Sequence, residues 1–97
     1  MAIIPYGSST LTNTYTASIG TTWTESTDGY YTQTVTVSGI LASDNPIIDL
    51  VTTTSGYEAE QDAWGKIFKA MTATDSITFY ATGVTETAIN IQIKVVR

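Results

Sequence analysis

The chain has 97 residues, a formal charge of −5 and neither Cys nor His. That length fits one domain, residues 1–97, with no room for a second independent core. The composition rules out disulfides and thiolate metal sites, removes the commonest general base and zinc ligand, and disfavours phosphate-rich partners such as nucleic acid or an anionic membrane.

The opening MAIIPYGSS has neither the basic start nor the long apolar stretch of a secretion signal, and no apolar run approaches a membrane span. The expectation is a product made and kept in a cytoplasm unless something else exports it. Residues 1–9 form a candidate attachment arm, because Ile3, Ile4, Pro5 and Tyr6 put an apolar group at a chain end, where fraying is normal. Such a group packs on its own domain or lies on a neighbouring subunit, as arms that extend another sheet do.

From Thr10 to Ile19, Leu11, Asn13, Tyr15, Ala17 and Ile19 alternate with Thr and Ser, a period of two that sorts them onto opposite faces of a strand. GTTWTESTDG follows as turn material, with Asp28-Gly29 favouring a tight reversal. In YYTQTVTVSGI, Tyr31, Val35 and Val37 form an inward set, while Thr32, Thr34, Thr36 and Ser38 make an outward face without charge. Such a face lacks the charges that normally guard a sheet against association. If this strand ends a sheet, copies should meet there; if it is internal, the arm must do the joining. LASDNP reads as a loop, and Ile47 to Thr53 as a third, more buried strand.

A helix is expected next. Ser55 and Glu58 match a capping box, and Trp64, Ile67, Phe68 and Met71 make an amphipathic stripe. Asp62 and Lys66 form a favourable i, i+4 pair, and Gly65 invites close packing although it costs about 1 kcal/mol against Ala. Two strands close the chain, SITFYAT and AINIQIKVVR, the second with Ile89, Ile91, Ile93 and Val95 on one face; a hairpin across TGVTET would join them. The order β-β-β-α-β-β gives an α+β fold: a mostly antiparallel β-sheet or small sandwich with one amphipathic helix packed on it.

No catalytic set emerges. Without His, the hydroxyls lack an evident base, so the chain is read as a non-enzyme with no cofactor and no metal. Asp44 and Asp49 could flank a glycoside as paired acids do, yet Asp44 better suits a turn and Asp49 a strand edge. A calcium site at Asp44 and Asn45 lacks the acidic density of such loops. Trp23 and Tyr30 flank TESTDG, and aromatic rings beside Asp, Thr and Ser are what a glycan contact uses. A Trp beside a strand is more often a core residue.

Charged residues make up only 13% of the chain, about half the usual share, and Thr fills about a fifth of it. Low surface charge suits a protein covered by its neighbours. Five runs sharpen that reading: YTQTVTVSG (Tyr31 to Gly39), PIIDLV (Pro46 to Val51), AWGKI (Ala63 to Ile67), SITFYA (Ser76 to Ala81) and IKVVR (Ile93 to Arg97). In set and order, from Trp23 to Arg97, they resemble a small structural module of phages and prophages of Gram-positive bacteria, one that accompanies tail-fibre, baseplate or head-fibre proteins. The resemblance implies a virion component made in the host cytoplasm, partnered by copies of itself (a trimer, as threefold symmetry is common in fibres) and by other virion proteins. The alternative is a carbohydrate-binding module that recognises cell-wall glycans through Trp23 and Tyr30.

Overall fold

A computed structural model describes residues 12 to 96, so the candidate arm of residues 1–9, with Ile3, Ile4, Pro5 and Tyr6, lies outside the described residues. Seven strands and one helix follow in order: β1 (Thr12–Ile19), β2 (Thr24–Glu25), β3 (Tyr31–Thr36), β4 (Ile47–Val51), α1 (Tyr57–Gly65), β5 (Ile67–Ala73), β6 (Ser76–Ala81) and β7 (Ile89–Val96). They build two antiparallel sheets, β1-β7-β4 and β2-β3-β6-β5, packed as a sandwich. The expected α+β fold with antiparallel sheets and one helix is what forms.

The core follows from period-two alternation. Ile89, Ile91, Ile93 and Val95 of β7 are buried, and Tyr15, Ala17, Ile48 and Leu50 flank them in register. Ile77, Phe79 and Ala81 of β6 face them from the other sheet, with Val37 and Ile40. Removing these side chains from water is the main driving force for the fold. The helix adds Ala63, which is buried, and Trp64, which packs against the same cluster.

Several expectations are corrected. The helix stops at Gly65, and Ile67 to Ala73 is a strand. Ile67 and, opposite Phe79 and Ile77, Ala70 and Thr72 share its core side, with Ile67 and Thr72 half-buried and Ala70 exposed at the sheet edge. An irregularity between Ile67 and Lys69 turns both Phe68 and Lys69 outward, so Phe68 and Met71, three residues apart, share one face as they would on a helix. Pairing with β6 then outweighs helix propensity. The Ser55–Glu58 box is also absent: Gly56 is the N-cap and no side chain caps it. Instead buried Glu60 accepts bonds from Thr53 N–H (2.8 Å) and Thr53 Oγ1 (3.0 Å), while Thr53 Oγ1 accepts from Gly56 N–H. Apart from its chain neighbours and the helix backbone, a Cβ at Gly65 would meet nothing within 4 Å, so no sheet backbone packs closely there, and Lys66 Nζ donates to Val84 O rather than serving as a helical partner.

The final two strands do not form a hairpin, because β6 and β7 belong to different sheets. Both present a full apolar face, and two such faces bury more by opposing each other across a core than by lying edge to edge. In β4, alternation sends Ile47 and Val51 outward, 62% and 46% exposed, so this strand is half-buried rather than a buried one.

Asp75 fastens the β5–β6 reversal to the loop after β3. It adopts φ 62°, its Oδ1 accepts from Gly39 N–H at 2.9 Å, its N–H donates to Ile40 O and its carbonyl accepts from Val37 N–H. Gly39 has φ 98°, and a Cβ there would press on the Tyr15 ring at 3.2 Å. Asp75→Ala should lose about 2 kcal/mol, from one hydrogen bond and the left-handed penalty of a Cβ without a local polar partner. Asp75→Asn should stay within about 0.5 kcal/mol, since its carbonyl still accepts the bond. Urea titration of the pair checks this; equal losses would point to the charge instead.

Candidate functional site

Alternation that buries Ile77, Phe79 and Ala81 turns Ser76, Thr78 and Tyr80 to the outside of the four-stranded sheet. In register beside them stand Thr32, Thr34 and Thr36 of β3 and Lys69, Met71 and Ala73 of β5. These outward positions carry no carboxylate and one cation, Lys69. Thr34 and Thr78 share a hydroxyl–hydroxyl hydrogen bond of 2.9 Å across the strands.

At one end of this face three rings meet. Tyr30 lies 5.5 Å from Tyr80 and 6.4 Å from Phe68, nearly perpendicular to the latter, and Phe68 lies 6.4 Å from Tyr80. Lys69 Nζ sits 4.7 Å from the centroid of the Tyr80 ring, a cation–π distance. Mutual packing fixes these rings before any partner arrives, which lowers the entropy lost on binding. Phe68 is nevertheless 57% exposed and Met71 50%. The arrangement offers apolar contact area and hydroxyl groups.

Of the two proposed glycan contacts, Tyr30 belongs to this cluster and Trp23 is placed elsewhere. Trp23 is half-buried against the core, and its Nε1–H donates to Thr85 Oγ1 at 2.8 Å. Thr85, itself buried, donates to Gly20 O. The Gln33 carboxamide closes the same corner, accepting from Gly20 N–H at 2.7 Å and donating to Gly20 O and Thr22 O. This network ties the β1–β2 connection to β3 and to the segment that crosses between the sheets. The structure thus separates the two aromatics and gives Tyr30 the partners Phe68 and Tyr80, which a helical assignment of Phe68 conceals.

The acidic residues occupy other places. Asp44 Oδ2 accepts from Leu41 N–H at 2.8 Å, closing a turn, and Asp49 stands opposite Gln92 on the outside of the three-stranded sheet. Among the described residues no three Asp, Glu, Cys or His side chains gather as a metal site would require, and no helix is long and apolar enough to cross a membrane. Comparison with protein-family models, with curated proteins and with solved structures finds no match to this chain.

Proposed function

We propose that this chain is a non-enzymatic structural or accessory protein that works through protein–protein contact, as a fibre, baseplate or capsid-surface component of a virion. The observation that carries the contact role is the outside of the four-stranded sheet, where Phe68 and Met71 stand half-exposed on a face without carboxylates. Exposed apolar groups clustered on an otherwise polar surface mark sites of association. The virion setting rests on the sequence resemblance. Its partners are copies of itself, with a trimer expected, and other virion proteins.

Native mass measurement of the purified full chain over a range of concentrations tests the reading, together with its retention on immobilised virion proteins. Self-association is expected, and Phe68→Ser should weaken retention by about tenfold or more if the ring is a central anchor. A strict monomer at high concentration that holds no virion protein would sink the proposal.

A second reading, recognition of cell-wall glycans, is favoured by the Tyr30–Phe68–Tyr80 cluster. Ring faces of this kind pack on sugar C–H groups while Tyr and Thr hydroxyls exchange hydrogen bonds. Calorimetric titration with wall polysaccharide separates the two: binding that Tyr80→Ala abolishes supports the glycan, and no heat with the wild-type chain removes it.

A further inference from the structure

We propose that β1 is a self-association edge, at which a second copy adds its own β1 antiparallel and continues the three-stranded sheet across a twofold axis. The proposal rests on the self-associating role above and assigns it a second surface, apart from the outside of the four-stranded sheet; a twofold contact joins copies in pairs, and a trimer would use that other face. A strand that ends a sheet offers unpaired N–H and C=O groups to any other strand, and soluble proteins normally block it with charge, proline, a bulge or a covering loop.

Every other sheet edge among the described residues is blocked in one of these ways. β4 carries Asp49 at its centre and follows Pro46. β5 carries the irregularity at Ile67/Lys69 and the Lys69 cation, and Thr72 Oγ1 at its far end holds the loop through Ala42 O and Asp44 O, both at 3.1 Å. β2 is two residues long and includes Glu25. β3, whose uncharged outward face would suit joining copies at an edge, is internal, with β2 on one side and β6 on the other.

Among the described residues β1 has none of these guards. Its eight residues, TNTYTASI, hold no charge, Pro or Gly, and they pair with β7 in unbroken register from Thr12 to Ile19. Only its last turn is closed, where the Gln33 carboxamide takes Gly20.

Charge selects the occupant. The chain has a formal charge of −5, so contact between copies is least opposed where carboxylates are absent. Outward of the core, β1 offers Thr14, Thr16 and Ser18, and the next strand offers Asn90, Gln92 and Lys94; the first carboxylate is Asp49, on the third strand. A twofold axis normal to the sheet sets outward residues of one β1 against outward residues of the other. Thr and Ser then face Thr and Ser, cross-strand pairs that favour a sheet.

Thr16→Lys and Thr16→Glu test this in the full chain, by sedimentation velocity on each variant and on an equimolar mixture. Thr16 is exposed, so both should fold as the wild type does, with the same circular dichroism spectrum. Each variant alone should self-associate about tenfold or more weakly, because like charges are forced together, and the mixture should recover. Variants that associate like the wild type would overturn the β1 edge while leaving self-association intact, whether residues 1–11 cover the strand or another face joins the copies. A mixture that fails to recover would also overturn it. A wild-type chain that stays monomeric removes both this inference and the reading beneath it.

Discussion

Phe79→Ala should lower stability by about 3–5 kcal/mol, the largest loss expected from a single substitution in this chain. Phe79 is fully buried at the middle of β6, with β3 and β5 on either side, and it faces the isoleucines of β7 across the sandwich. Truncation removes the transfer energy of the ring and leaves a cavity that two rigid sheets cannot collapse to fill. A domain of this size has about 5–15 kcal/mol in all, so the variant forfeits a large share of its stability. Phe68→Ala is the matched control: the same side chain, on the adjacent strand, but on the outside and more than half exposed. It should cost about 1 kcal/mol, chiefly its contacts with Tyr30 and Tyr80. Urea unfolding followed by circular dichroism compares them, and similar midpoints for the two would contradict the placement of the core.

The contrast between these phenylalanines also shows what alternation can reveal. Ile89, Ile91, Ile93 and Val95 announce a one-sided strand because each intervening residue is polar, apart from the exposed Val96 at the end. The same holds for Tyr31 and Val35 against Thr32, Thr34 and Thr36, and all of these lie on the expected faces. IFKAMTA defeats the method because a local irregularity puts two adjacent residues on one side, breaking the period of two that identifies a strand. Only a strand there groups Phe68 with Tyr80, so the aromatic cluster is hidden from a helical reading. Partner choice is equally illegible: nothing local to Ser76–Ala81 or Ile89–Val96 says that they face one another across the core. Thr85 and Gln33 are ordinary polar residues in sequence, and their importance comes from backbone groups distant along the chain, at Gly20 and Thr22.

Trp23 puts that long-range network to the test. Trp23→Ala should cost about 3 kcal/mol, from lost packing against the core and from the hydrogen bond that its indole gives Thr85. Trp23→Phe keeps most of the apolar contact and removes the donor, so it should cost less, about 1–2 kcal/mol. If the bond carries that difference, Thr85→Val should be nearly additive with distant changes such as Phe68→Ala yet strongly non-additive with Trp23→Phe, with a coupling of about 0.5–3 kcal/mol. Folded Trp23→Phe should meanwhile leave any binding through the Tyr30–Phe68–Tyr80 face as it is in the wild type, because its ring supports the β1–β2 corner and takes no part in that face. Normal stability with lost binding would return Trp23 to the contact surface. Lower stability with normal binding would make it part of the latch that holds the two sheets together.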